Sequence, residues 1–297
     1  CDGENVFIGA IIEHIENAGV HSGDATMSLP SLTIDEDVKE KIREITRKVA
    51  RGLHIKGPFN IQYLVKNGSV YVIECNLRAS RSMPFVSKTV GKNLMDIAAS
   101  AMLDEKIEDA EAVAEKFGVK YPQFSFMRLE GADPVTGVEM VSTGEVACFG
   151  NSFEEAFLKS MIAGGTRVPE RGDSILISVG GEKEKAVEIV KKISNNGYKI
   201  FATEHTAEAL RKNGIDCENI YKISDGKNPN VLHFLVARKL SFVINTPHPN
   251  KIETQAITDG YLIRRKAVEF GVPIITNLEL ADSLANALRN HTSLEIN

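Results

Sequence analysis

The stretch FNIQYLVKNGSVYVIECNLRASR, residues 59–81, decides how this chain is read. Its first run alternates Phe59, Ile61, Tyr63 and Val65 against Asn60, Gln62 and Leu64, the period of a half-buried strand. The second sets Tyr71, Ile73 and Cys75 against Val70, Val72, Glu74 and Asn76, and Asn67-Gly68 between the runs is a strong hairpin signal. A strand that only fills a core has no use for a carboxylate and a carboxamide two apart, followed by Arg78 and Arg81. Glu74, Asn76 and Gln62 supply the hard oxygens that magnesium takes alongside nucleotide phosphates, and arginine forks suit phosphate oxygens. The stretch therefore reads as a metal-nucleotide site.

Register makes this testable. A two-residue Asn67-Gly68 loop would pair Gln62 with Ile73 and put Gln62 and Glu74 on opposite faces. A three-residue loop, Lys66-Asn67-Gly68 with Gly68 in a left-handed bulge, pairs Gln62 with Val72 and Asn60 with Glu74 instead. The expectation is the second arrangement, with positive φ at Gly68 and with Gln62 and Glu74 on one face.

At these residues the chain resembles a known family. ECNLRASRSMPFVSK at 74–88 and EHIENAGVHSGDA at 13–25 closely resemble the large subunit of carbamoyl phosphate synthetase, in its second ATP-grasp unit. The resemblance runs on through STGEVACFG at 142–150 and into a C-terminal segment, where ILISVGGEKEKAVEIVKKI, FATEHTAEALRKNGI and FVINTPH resemble the methylglyoxal-synthase-like regulatory domain. It implies a partial ATP-grasp α+β domain followed by a doubly wound parallel-sheet domain. It also implies a ligase that makes carbamoyl phosphate from bicarbonate, ammonia drawn from glutamine, and ATP, this part phosphorylating carbamate and carrying allosteric control.

The resemblance assigns roles residue by residue. Gly19, Val20, His21 and Ser22 are implied to contact ATP, partly through their backbone. Gln62, Glu74 and Asn76 are implied to hold Mg²⁺ (or Mn²⁺), the first two also reaching the nucleotide. Arg78 and Arg81 are implied to act on the phosphates and the acyl phosphate oxygens. Lys183, Thr203, Thr206, Lys222 and Asn245 match positions that hold an effector phosphate or nucleotide. Physical reasoning supports an anion at Thr203 and Thr206, where a strand passes into a helix whose first amides favour phosphate. The plain alternative is two threonines capping a helix beside solvated lysines. Glu204 and Pro247 stand where some relatives carry glycine and threonine, which leaves open a pyrimidine, a purine or an acetylated amino acid as effector.

A chain of 297 residues suggests two domains. A net charge of -5 gives no basic footprint, so nucleic acid is not an expected partner. No apolar run spans a bilayer, and the cytosol is the expected home. Cys1, Cys75, Cys148 and Cys217 lack the spacing of a zinc site and read as reduced thiols. CDGENVFIGAIIEH opens without a methionine and reads as the start of a fragment inside a domain, whose partners would be the rest of the large subunit, a small glutaminase subunit or domain, and the effector.

Along the chain, Val6 to Glu13 reads as a strand, Thr33-Ile34-Asp35-Glu36 as a capping box, and Val38, Ile42, Ile45 and Val49 as the buried stripe of a helix whose Lys and Arg residues face water. A helix is expected from about Asn93 to Leu103, and Asp104 to Lys116 as a solvated helix or connector. Glu145 reads as structural; Glu13 and Glu16 take no role. Ser152 to Ala163 reads as a helix, and GGTRVPERGD at 164–173 as the best boundary. Beyond it, short apolar runs at 174–179, 198–202, 219–223, 241–245 and 272–276 alternate with helical stretches, the pattern of a parallel sheet with ligands at strand carboxyl ends. The expected division is 1–103 for the end of the ATP-grasp domain, 104–165 for a connector and 166–297 for the regulatory domain. Alternatives are a nucleotide-binding regulatory module without activity of its own, or another ATP-grasp carboxylase or ligase. Methylglyoxal synthase itself ranks last, because ATEHTA does not match its glycine-rich phosphate turn.

Overall fold

A computed structural model describes residues 1–248 and 258–289; residues 249–257 and 290–297 of the expected regulatory domain lie outside it. The chain divides into two compact units that interleave in sequence. The first takes Cys1–His14, Met27–Lys120 and Ala147–Ala156; the second takes Ile15–Thr26, Tyr121–Val146 and the chain from Phe157 onward.

In chain order the first elements are β1 (Glu13–His14), β2 (Met27–Leu29) and helix α1 (Glu36–Gly52). Most of the strand expected over Val6 to Glu13 is irregular. Ile8 makes only a two-bond bridge, its N–H to Ala110 O at 2.8 Å and its carbonyl to Ala112 N–H at 2.9 Å, so no ladder propagates. The cap of α1 is Asp35, which accepts from Val38 N–H at 2.9 Å, and not Thr33. Thr33 is drawn off by Glu13, whose Oε2 takes its N–H at 2.8 Å. Nor are the arginines of α1 all solvated. Arg43 pairs with Glu36, Glu40 and Glu111, and Arg47 and Arg51 with Asp109. The acidic 104–116 stretch is thus an extended strap against the basic face of α1, without helix.

Next come β3 (Asn60–Lys66) and β4 (Ser69–Asn76), a two-stranded ribbon, then α2 (Ser82–Val90) and α3 (Leu94–Met102). Pro84 lies in the first turn of α2, where its missing N–H is no loss, so the helix starts ahead of it. Asn93 caps α3 by accepting from Met95 N–H. Strands β5 (Phe117–Gln123) and β6 (Gly144–Gly150) complete a four-stranded sheet in the order β1-β2-β5-β6. A core of Leu29, Phe85, Val86, Val90, Leu94 and Ala112 backs it in the first unit.

Helix α4 (Phe153–Ala163) leads to the alternation read from the sequence: β7 (Ser174–Val179), α5 (Lys183–Asn195), β8 (Lys199–Thr203), α6 (Glu204–Lys212), β9 (Glu218–Ile220), α7 (Val231–Val236), β10 (Phe242–Thr246), α8 (Asp259–Glu269), β11 (Ile274–Ile275) and α9 (Leu278–Arg289). All five strands are parallel, in the order β11-β10-β7-β8-β9. Ile175, Leu176, Ile177, Phe242 and Val243 are wholly buried, as strands covered on both faces require. The connection from β7 runs to β8 on one side, and that from its neighbour β10 runs to β11 on the other. A crevice opens there, at the carboxyl ends of the strands.

Candidate functional sites

The ribbon turns through two residues, Asn67 (φ 51°) and Gly68 (φ 72°), with Lys66 opposite Ser69. Positive φ at Gly68 is as expected; the three-residue loop is not formed. Tyr63 pairs with Val72, and then the register slips, so that Gln62 faces Glu74 and Asn60 faces Asn76. Ile73 is the extra residue. The expected pairs Gln62 with Val72 and Asn60 with Glu74 are therefore replaced, because the bulge sits within β4 and not at the turn. It also moves Val70 and Val72 to the face of Tyr63. Gln62 and Glu74 do share a face, since directly opposed residues point the same way.

The two faces then differ in kind. On one, Ile61, Tyr63 and Cys75 turn towards α1: Tyr63 Oη lies 2.7 Å from Thr46 Oγ1, and Phe59 and Cys75 join a cluster with Cys1, Val6, Ile8, Ala50 and Ile55. Burial pushes the Cys75 thiol above its usual range, which suits a core residue better than a nucleophile. On the other face stand Asn60, Gln62, Glu74 and Asn76. Asn76 Nδ2 donates to Glu74 Oε1 at 2.8 Å and to Asn60 Oδ1 at 3.5 Å. Arg78 and Arg81 follow in the exposed turn into α2, with Arg78 Nη1 on Ala79 O at 3.2 Å.

Glu74 with Gln62 and Asn76, one carboxylate and two carboxamides, gives an oxygen-only set. Such a set fits Mg²⁺ with phosphate oxygens and water completing the shell, and it does not fit zinc. Among the described residues no three His, Cys, Asp or Glu gather to hold a metal unaided.

Gly19, Val20, His21 and Ser22 belong to the second unit. His21 donates its N–H to Gly137 O at 2.7 Å, and its Nδ1 accepts from Gly23 N–H at 3.0 Å. Buried Asp24 anchors the loop by accepting from Val141 and Ser142 N–H, both at 2.9 Å. Asn17 reaches Glu279 at 2.5 Å, and Glu279 pairs with Lys185 at 2.6 Å. Glu16, left without a role, is buried and accepts from Thr26 N–H.

The crevice of the parallel sheet is a cleft of about 1090 Å³, and Lys183, Thr203, Thr206, Lys222 and Asn245 all line it. Thr203 is the N-cap of α6 yet makes no side-chain cap; its hydroxyl instead donates to Ser178 Oγ at 3.1 Å. Thr206 Oγ1 accepts from Val179 N–H at 3.2 Å. The capping alternative is thus not what these threonines do. The first amides of α6, and those of α5 behind the left-handed Glu182, carry no side-chain cap. Gly180 has no room for a side chain: an added Cβ would lie 2.5 Å from His248 N.

Among the cleft-wall residues that sequence did not single out, Asp133 and Arg264 form a charged pair. Arg264 Nε and Nη2 grip the Asp133 carboxylate, the first at 2.6 Å, and Nη1 donates to Asn245 Oδ1 at 2.8 Å. The available signal was the Arg264-Arg265 pair directly after apolar Leu262-Ile263 in α8. Both are buried, and adjacent buried arginines demand partners on two sides.

Comparison with known proteins bears on the family of the chain. Residues 2–110 match the family described as carbamoyl-phosphate synthase L chain, ATP binding domain, and residues 185–276 match the MGS-like domain. The chain is 40% identical over 96% of its length to the human mitochondrial carbamoyl-phosphate synthase [ammonia], and 42% identical over 97% to the multifunctional protein pyr1-3 of Dictyostelium discoideum. It is 43% identical over 96% to the multifunctional protein pyr-3 of Neurospora crassa. It spans 20%, 13% and 16% of those three proteins. With an ATP-binding-domain segment, an MGS-like domain and such identity along nearly its whole length, the chain belongs to the carbamoyl-phosphate synthase family, in the large-subunit region.

Proposed function

We propose that this chain supplies the rear of a carbamate-phosphorylating ATP-grasp site together with the regulatory domain that controls it. The observation that carries the catalytic half is the bulge at Ile73, which brings Glu74 and Asn76 to the face of Gln62, away from the core. In this reading those residues hold Mg²⁺ (or Mn²⁺), which neutralises charge on the nucleotide phosphates. Arg78 and Arg81, poised beyond the strand end, take the phosphoryl oxygens, and Gly19, Val20, His21 and Ser22 contact the nucleotide. A carbamate oxygen bonds to the γ-phosphorus of ATP as the bond to the β-phosphate bridge breaks, giving carbamoyl phosphate and ADP. Such a transfer asks the protein for positioning and charge, not for a covalent partner.

Lys183, Thr203, Thr206, Lys222 and Asn245 take an anionic effector in the cleft, with the amides of α5 and α6 as further donors. Residues 1–103 are then the ATP-grasp end, 104–165 the connector and 166–297 the regulatory domain. The whole synthase, including a glutaminase subunit or domain, is the partner, and carbamoyl phosphate feeds pyrimidine or arginine synthesis. Among the described residues no helix is long and apolar enough to cross a membrane. The cleft favours a second reading, an autonomous nucleotide-binding module, and one experiment separates the two. Calorimetric titration with Mg-ADP should show binding that Glu74→Ala weakens at least ten-fold, and titration with UMP or IMP should show binding that Lys183→Gln with Lys222→Gln abolishes. Monophosphate binding without any Mg-ADP binding would leave the module reading alone.

A further inference from the structure

Arg264 is 4% exposed and its fork is fully engaged, two arms on Asp133 and one on Asn245. The Asp133 side chain is about one-third exposed (34%) and faces the cleft that Lys183 and Lys222 also line. Its carboxylate therefore holds, on a cationic fork in an anion-seeking cleft, the bidentate seat that a phosphate would take.

Asp133 is not part of the sheet. It lies in residues 124–143, which form neither helix nor strand. Upstream this segment is clamped to α8: Arg265 Nη1 donates to the carbonyls of Phe126, Leu129 and Ala132 at 3.1, 3.1 and 2.9 Å, and Tyr261 Oη to Gly131 O at 2.8 Å. Downstream it meets the His21 loop, through Gly137 O and through the Val141 and Ser142 amides on Asp24. Asp133 to Gly137 is the strip between the two anchorages, and Asp133, Val135, Thr136 and Gly137 all line the cleft.

We propose that Asp133 is a built-in competitor for the cleft's anion: a phosphate monoester takes its seat on Arg264, and the released Asp133–Gly137 strip loosens the hold of Gly137 on His21. This rests on the cleft's being an effector site, and it names how that site signals. The exchange is electrostatically balanced. Arg264 keeps an anionic partner throughout, and Asp133, already part exposed, passes to water, so no buried charge is left unpaired. Arg264 thereby becomes a ligand-selecting residue, favouring anions with two oxygens to offer.

The test is titration of the chain with inorganic phosphate and with UMP and IMP, alongside amide hydrogen exchange with and without ligand. Asp133→Asn should bind at least three-fold tighter than wild type, and Arg264→Gln at least ten-fold weaker. Saturating ligand should speed exchange at the His21, Val141 and Ser142 amides of the unsubstituted chain, a readout that no folding defect can blur. Unchanged or weaker binding by Asp133→Asn, or unaltered exchange at saturation, overturns the proposal while the cleft reading stands. Wild type that binds no monophosphate, or binding that survives Lys183→Gln with Lys222→Gln, overturns both.

Discussion

At the scale of single residues, hydrogen-bond supply decides what each polar group can do. Asp2 shows it most fully. Its carboxylate accepts from the N–H groups of Ile107, Glu4 and Asn5 at 3.0, 2.9 and 2.7 Å and from Asn5 Nδ2 at 3.0 Å. These bonds, that from Ile107 first, hold the carboxyl well below its ordinary value of 3.8. A depressed native value means the stabilisation is complete above the unfolded-state value and is lost as pH falls beneath it. Urea midpoints of wild type and Asp2→Asn should therefore differ by a constant amount from pH 7 down to about 4, and converge at lower pH. A gap that widened on acidification would contradict this account. The same logic separates Asp35 from Thr33 at the start of α1: both have the chemistry of a cap, but Glu13 claims Thr33 and leaves Asp35 to the helix. Sequence shows the candidates for a cap and not the competition between them.

At the scale of elements, the ribbon and the parallel sheet stand at opposite ends of legibility. Strands β7, β8 and β10 of the second unit were plain in the sequence because burial on both faces leaves continuous apolar runs, and the shorter β9 and β11 followed from the alternation with helices. The ribbon's strands were plain too, but their register was not. A two-residue turn with a bulge at Ile73 puts Gln62 and Glu74 on one face, as a three-residue turn would, though with different partners opposite, and no local pattern tells the two apart. The turn can be tested directly. Gly68 at φ 72° occupies a left-handed conformation, and a β-branched residue there costs about 1–2 kcal/mol. Gly68→Val should lower the stability of the first unit by about that much in denaturant titration, while leaving monophosphate binding in the cleft unchanged. Arg264 was illegible for a different reason. Its partner Asp133 lies 131 positions away, and only the folded chain makes one helix arginine part of a ligand site and its neighbour a clamp.

At the scale of the whole molecule, each unit has its own apolar core and its own candidate chemistry, and the chain passes between them more than once. The ribbon has a consequence of another kind. Among the described residues β3 and β4 pair only with each other, so neither outer edge of the ribbon has a strand partner. Beside those edges Tyr71 and Ile73 are 54% and 59% exposed. A short apolar ribbon with two open edges is a template for strand addition, and a copy of itself is the nearest supply. Concentrated solutions should therefore self-associate reversibly, seen as a rising average mass in sedimentation equilibrium. Ile73→Lys, which sets a charge at the bulge, should suppress that association and raise the solubility limit with the fold intact.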